Sequence, residues 1–256
     1  MQDLRITLFQ VSQAWENKQQ NEAHFNTLIS EIAPSDLILL PEMFHTGFSM
    51  NTGDLAEKMP DSRGLEWLKK WAKQNQAAFY TSLIIEEAGL FFNRGVFVLP
   101  TEEIEVYDKQ KLFGLGGEAI DFTPGRNTKI VTYLGWKIKL QICYDLRFPV
   151  FARNTEDYDV LIYVANWPAQ RSYAWQQLLK ARAIENQCYV IACNRLGIDG
   201  NGVEHKGDSA IINYLGEEIG FSNDDKVFQF NLNKASLIQY RIDFPVLEDR
   251  DDFNLI

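Results

Sequence analysis

Five extended apolar stretches follow one another between residues 79 and 143 with no helical stretch among them, and four more do so between 188 and 231. The first run is Phe79–Glu86, Leu90–Leu99, Ile104–Tyr107, Lys129–Tyr133 and Trp136–Cys143. The second is Cys188–Cys193, Asp208–Asn213, Glu217–Phe221 and Val227–Asn231. Helical spacing occurs only singly, at Asn17–Ala33, Gly64–Ala78, Val150–Asn154, Ser172 to about Gln187, and Lys234–Ile242. In the fourth of these Ser172 reads as an N-cap, with Ala174, Leu178 and Ala181 as packing positions and Trp175 and Leu179 alongside. Arg195–Gly202 reads as a glycine-rich loop. The remaining strands are Leu4–Val11, Asp36–Leu40 and Val160–Ala165. A doubly wound parallel sheet alternates strand and helix more regularly than this. Short turns at Ala88-Gly89 and Leu134-Gly135 make two hairpins. The pattern predicts an α/β fold: two mixed sheets packed together, with helices on their outer faces. No repeat, low-complexity tract or linker interrupts it, so one domain over 1–256 is expected.

Charge and cysteine usage narrow the function. The formal charge is −10, which argues against nucleic acid as partner, since phosphate tracking needs a basic face. The three cysteines, Cys143, Cys188 and Cys193, are odd in number and suggest no disulfide framework. His24, His45 and His205 lack metal-ligand spacing, so no metal and no cofactor are expected. The first residues, Met-Gln-Asp-Leu-Arg, have no basic region followed by an apolar one, and no run reaches the roughly 20 apolar residues of a membrane span. The expectation is a cytoplasmic protein that does not engage a membrane.

The stretch from Trp136 to Pro149 carries the chemistry. Trp136, Ile138, Leu140 and Ile142 alternate with Lys137, Lys139 and Gln141, as on a strand. The alternation stops at Cys143, and Pro149 suits the first turn of a helix. Cys143 therefore stands on a turn at a strand's C-terminal end. A thiol there is either a nucleophile or a small buried hydrophobe. Other reactive groups share the setting. Glu42 follows the strand Asp36–Leu40, Lys109 follows Ile104–Tyr107, and Glu118 lies in the glycine-rich loop Asp108–Asn127. Sites in α/β sheets form beyond the carboxyl ends of strands. Neighbouring strands would bring Glu42, Lys109 and Cys143 to one edge. A carboxylate can take the thiol proton, and an ammonium can stabilise an oxyanion. The bland readings are a helix-start charge for Glu42, a solvated charge for Lys109 and a turn cap for Glu118.

Three blocks then carry a resemblance. Leu39-Leu-Pro-Glu-Met-Phe44, Tyr107-Asp-Lys-Gln-Lys-Leu-Phe113 and Gln141-Ile-Cys-Tyr-Asp-Leu-Arg-Phe-Pro149 resemble, in order, the motif blocks of the nitrilase superfamily of carbon–nitrogen hydrolases. The likeness continues through Ala165-Asn-Trp167 and Arg182-Ala-Ile-Glu-Asn-Gln187 to Gly207-Asp-Ser209. It implies a four-layer αββα sandwich and a Glu-Lys-Cys triad. Glu42 would be the general base, Lys109 the oxyanion stabiliser, Cys143 the nucleophile and Glu118 the second glutamate. The Tyr144 backbone N–H would be a further oxyanion donor. The resemblance also implies a homodimer.

Within the superfamily, the Cys-Tyr-Asp-Leu-Arg-Phe-Pro form is similar to ω-amidases, which act on the side-chain amide of 2-oxo acids such as 2-oxoglutaramate. The expected partner is thus a small-molecule amide. Arg147 could grip its far carboxylate, with Arg171 as a rival, and Trp167 and Phe113 could wall the pocket. The competing readings are a structural pairing of Arg147 with Asp145 or a helix end, and plain core packing of Trp167. One departure stands out: Lys111 occupies the position where the family commonly has His. Hydrolysis of N-carbamoyl amines or nitriles by the same triad is the alternative. A protein of another class, with Cys143 as a redox-sensing or partner-binding thiol, would show labelling without turnover.

Overall fold

The computed structural model describes residues 2–221, 227–251 and 253. The end of the acidic tail, at 252 and 254–256, lies outside them. Two six-stranded mixed sheets form the body. The first contains β1 (Leu4–Phe9), β2 (Leu37–Leu39), β3 (Ala78–Glu87), β4 (Leu90–Val98), β5 (Ile104–Asp108) and β14 (Val227–Leu232), in the order β14-β1-β2-β3-β4-β5. The second contains β6 (Ile130–Tyr133), β7 (Trp136–Ile142), β8 (Val160–Ala165), β9 (Tyr189–Asn194), β12 (Ala210–Ile212) and β13 (Glu218–Phe221), in the order β13-β12-β9-β8-β7-β6. In each sheet three parallel strands lie in the middle, β1-β2-β3 and β7-β8-β9, flanked by antiparallel ones.

Strand periodicity explains the layers. Leu37 and Leu39 of β2 point into the core between the sheets, beside Ile138, Leu140 and Ile142 of β7. Ile38 and Leu40 point the other way and meet Phe25 and Ile29 of α1 (Lys18–Ile29) and Leu65, Leu68 and Ala72 of α3 (Arg63–Asn75). A strand covered on both faces reads as continuous apolar sequence, which is why Asp36–Leu40 shows no alternation. On the far side, Trp175, Leu179 and Ala183 of α6 (Ser172–Asn186) join the core of the second sheet. Fully burying each such large side chain contributes about 1.5–3 kcal/mol. The helices start where side chains satisfy their first N–H groups. Asn17 Oδ1 accepts from Gln20 N in α1, Ser62 Oγ from Leu65 N in α3, and Asn233 Oδ1 from Ser236 N in α7 (Lys234–Asp243).

Four expectations need correction. Ser172 is not an N-cap: it is the first residue of α6, and its hydroxyl bonds the Asp208 carboxylate instead. Trp175 and Leu179, expected only alongside Ala174, Leu178 and Ala181, form with Ala183 the buried line of α6, where the Trp175 indole donates to Asp208 O at 2.8 Å; Ala174 and Leu178 are partly buried beside it. The glycine-rich stretch after Arg195 holds a strand, β10 (Leu196–Ile198), paired with β11 (Glu204–Lys206) in a separate ribbon. The loop 108–127 contains a short helix, α4 (Glu118–Asp121). The remaining helices are single turns, α2 (Thr52–Leu55) and α5 (Pro149–Ala152). Lys139 and Gln141, the polar partners in the alternation of β7, are 3 % and 1 % exposed. Among the described residues no helix is long and apolar enough to cross a membrane.

Candidate active site

Glu42 and Cys143 each leave a buried strand through a strained turn. After β2, Pro41 offers no N–H to continue the ladder. Thr81 Oγ1 donates to Pro41 O at 2.6 Å, and Met43, at φ +46°, donates its N–H to Ser82 Oγ at 2.9 Å. Gln13 Nε2 holds the carbonyls of Glu42 and Met43 at 3.1 and 3.0 Å. After β7, Cys143 has φ +45°, a left-handed conformation uncommon for a residue with a side chain. Asp145 stabilises this turn. Its carboxylate accepts from Ile142 N at 3.0 Å, from the Tyr107 hydroxyl at 2.8 Å and from Lys111 N at 2.9 Å. The turn after β7 is thereby tied to the segment that carries Lys109.

Lys109 leaves β5 with its N–H bonded to Asn93 O and its carbonyl to Gly125 N, at 3.0 and 2.9 Å. Gly125 is required there, because a Cβ would stand 2.0 Å from Asp108 O. The Lys109 ammonium is fully buried between two fully buried carboxylates. Its Nζ lies 2.8 Å from Glu42 Oε1 and 2.9 Å from each oxygen of Glu118. Burial opposes the ammonium form, but Glu118 and Glu42 outweigh it and hold Lys109 protonated well above its usual range. Cys143, 8 % exposed, behaves in the opposite way. Burial and the neighbouring Glu42 push its thiol up, against the pull of Lys109. At neutral pH this thiol keeps its proton, so a base must remove it before it can attack.

The expected neighbourhood is therefore present, though not by the expected route. β2 and β5 are separated by β3 and β4, and β7 belongs to the other sheet. The residues meet where the ends of the two sheets converge. Glu118 joins them because α4 points its first side chain inward, where Oε2 also accepts from Phe113 N at 2.6 Å.

Lys109 and Cys143 face a cleft of ≈ 350 Å³. Phe113, Tyr144, Arg147, Trp167 and Arg171 line it, together with Asn201 and His205 of and beside the β10–β11 ribbon. The Arg147 guanidinium lies over the Trp167 ring at 5.0 Å, and that of Arg171 over Phe113 at 5.2 Å. Among the described residues neither arginine has a carboxylate within ion-pairing distance. Asp145 is occupied elsewhere, so the ion-pair reading of Arg147 fails. Trp167 is both wall and core: it is 3 % exposed, and its ring lies 5.1 Å from Trp175. Lys111 turns away from the cleft, with its ammonium 4.1 Å from the Phe151 ring centre. Among the described residues no group of three or more His, Cys, Asp and Glu could hold a metal ion.

No site role for Asn93 or Asn166 follows from the sequence, and Asp145 enters there only as a partner for Arg147. Asn166 N donates to Glu42 Oε2 at 2.8 Å, and its side chain donates to Glu42 O. Asn93 Nδ2 donates to Glu42 Oε1 and Glu118 Oε1 at 2.8 and 2.9 Å. A signal for Asn93 exists: alternation along β4 puts it on the same face as the core residue Phe97. A polar side chain on that face needs a buried partner.

Residues 5–241 match the family model described as "Carbon-nitrogen hydrolase". The chain is 42 % identical to the omega-amidase YafV of Yersinia enterocolitica and 41 % identical to that of Escherichia coli K12, covering all of each chain. It is 33 % identical to the 2-oxoglutaramate amidase of Paenarthrobacter nicotinovorans, over 87 % of this chain and 81 % of that one. Its fold superposes on XC1258 of Xanthomonas campestris, a CN-hydrolase superfamily protein, with a TM-score of 0.97 at 40 % identity over the whole of both chains. The chain belongs to the carbon–nitrogen hydrolase family and is a hydrolase of carbon–nitrogen bonds other than peptide bonds.

Proposed function

We propose that this hydrolase removes the ω-amide of small 2-oxo dicarboxylic acid monoamides, such as 2-oxoglutaramate and 2-oxosuccinamate, giving the 2-oxo acid and ammonia. The observation that carries the reading is a fully buried lysine between two carboxylates, beside a protonated thiol, at the floor of a cleft with two guanidiniums that have no carboxylate partner among the described residues. The full-length likeness to proteins named omega-amidases supports the substrate class.

Glu42 takes the Cys143 proton as Sγ attacks the amide carbon. The oxyanion is met by Lys109 Nζ and by the Tyr144 N–H, the first donor after the nucleophile. Lys109 stays charged throughout because Glu118 shares its ammonium. As the C–N bond breaks, protonated Glu42 gives its proton to the leaving nitrogen, and ammonia departs from a thioester. Glu42 then deprotonates water, which attacks the thioester. The C–S bond breaks, and the thiolate recovers the proton. Arg147 holds the carboxylate at the far end of the substrate, against the Trp167 and Phe113 walls. On this reading the chain is one domain that works as a homodimer in the cytoplasm.

A panel of 2-oxoglutaramate, 2-oxosuccinamate, glutamine and an N-carbamoyl amino acid tests the assignment by ammonia release. Turnover of the two 2-oxo amides, abolished in Cys143→Ala, is expected. Equal turnover by the alanine variant, or a preference for the carbamoyl compound, overturns it.

A further inference from the structure

The carboxylate oxygens around Lys109 are not equally occupied. Glu42 Oε1 accepts from Lys109 Nζ and Asn93 Nδ2, at 2.8 Å each. Glu118 Oε1 accepts from the same two groups at 2.9 Å. Glu118 Oε2 accepts from Lys109 and from Phe113 N. Glu42 Oε2 differs: its donor is one backbone group, Asn166 N. That same N–H acts on the Cys143 thiol. Of the four oxygens, Glu42 Oε2 retains a lone pair for a proton and shares a neighbour with the sulfur.

Asn93 creates this asymmetry. It is 1 % exposed, and its Oδ1 has no hydrogen-bond partner among the described residues. An unpaired buried carbonyl is unfavourable. The reverse amide orientation would be worse, aiming that oxygen at two carboxylates. The side chain is thus held in place for its NH₂ group alone. Among the described residues it is also the only uncharged side-chain donor shared by the two glutamates, and it works with Lys109 against their like-charge repulsion.

We propose that Asn93 is a positioning residue for the general base: its two N–H groups clamp Glu42 to Glu118, occupy Glu42 Oε1 and leave Oε2 to receive the Cys143 proton. This rests on the reading of Glu42 as the base. The titratable groups facing Glu42 are Lys109, Glu118, Cys143 and the Tyr80 phenol. Asn93 donors favour the ionised carboxylate, so removing them favours its protonated form.

The test uses Asn93→Leu, which keeps the approximate shape with neither donor nor charge, and Asn93→Ser, which keeps one smaller donor. The acid limb of kcat/KM for 2-oxoglutaramate should move up by roughly one pH unit in Asn93→Leu and by less in Asn93→Ser. The fall should be in kcat, with KM for the substrate little changed. The acid limb of Cys143 alkylation by iodoacetamide should move in parallel, and this readout needs no amide turnover. Wild-type limbs in both assays, or loss of native melting in both variants, overturn the proposal and make Asn93 a structural residue. A wild-type protein that labels at Cys143 but releases no ammonia sinks the amidase reading instead, and the labelling shift still decides the role of Asn93.

Discussion

Two clusters of buried charge lie close together in the chain, one beginning at Glu42 and the other at His45. In the second, His45 Nε2 meets Glu22 Oε1 at 2.8 Å and its Nδ1 stands 3.4 Å from Glu57 Oε1. Lys18 Nζ reaches Glu57 Oε1 at 2.7 Å, and Arg63 binds Glu22 at 2.6 Å. Glu57 Oε2 accepts from Ser62 Oγ and Gly64 N, at 2.6 and 3.0 Å, where α3 begins. This cluster joins α1 and α3 to the segment after β2, and both Glu57 oxygens have donors. Lys18 and Arg63 still touch solvent. The Glu42 cluster also sets carboxylates against cations, but its ammonium and both carboxylates are sealed from water, and one of its oxygens shares a backbone N–H with a thiol. The difference lies in the neighbours rather than in the number of donors. A cluster whose acceptors meet only helix starts and half-exposed cations is a fastener, whereas one placed beside a nucleophile can exchange a proton.

Mutations should separate the two. Cys143→Ala should lower ammonia release by at least roughly 10³-fold while the melting temperature holds, as expected for loss of a member of a catalytic unit. Lys109→Met should abolish turnover and also destabilise the fold by roughly 3–5 kcal/mol, because it leaves two buried carboxylates unpaired. Urea unfolding monitored by fluorescence would measure that loss. Arg147→Met should raise KM for 2-oxoglutaramate by roughly 10–100-fold, the loss of a charge-assisted contact, and leave a neutral amide unaffected. An equal effect on both substrates would remove Arg147 from carboxylate binding.

The fastening cluster should respond in stability alone. Glu57→Gln should cost roughly 1–3 kcal/mol of unfolding free energy with kcat/KM unchanged. A smaller effect follows with pH. Burial opposes the Glu57 carboxylate, but hydrogen bonds from His45, Lys18, Ser62 and Gly64 outweigh it and hold it well below the carboxylate range. A depressed folded-state value gives stability that is complete above the unfolded value of 4.5 and lost as pH falls below it. The gap between wild type and Glu57→Gln should thus be full at pH 6 and narrow towards pH 3. A gap that widens in acid would reverse the sign of this contribution.

Much of the architecture was legible because strand and helix periods are local. The hairpins at Ala88-Gly89 and Leu134-Gly135 follow from turn chemistry, and the end of β7 at Ile142 from the break in alternation. Glu42, Lys109, Glu118 and Cys143 stood out as reactive types at strand ends or in a glycine-rich loop. What escaped notice depends on distant partners. The Ser172 hydroxyl is drawn away by Asp208, so a sound capping pattern gave the wrong residue. The β10–β11 pairing lies in a stretch whose glycines look like loop. Asn93 looks like an ordinary polar residue of a hairpin until β4 is placed against the glutamates. Asp145 gave no sign of spanning from the Cys143 turn to Lys111 N.

The position of β14 has a further consequence. It pairs antiparallel with β1, Leu4 opposite Leu232, so the first sheet joins residues 4–9 to 227–232 around the whole of the second. On the ribosome, β1 to β5 emerge first, yet the outer edge of β1 stays unpaired until more than 200 further residues have followed it. An open apolar edge of this kind invites pairing with other chains. A nascent chain halted before residue 227 should therefore need a chaperone to stay dispersed, whereas release beyond Leu232 lets β14 cover the β1 edge from within.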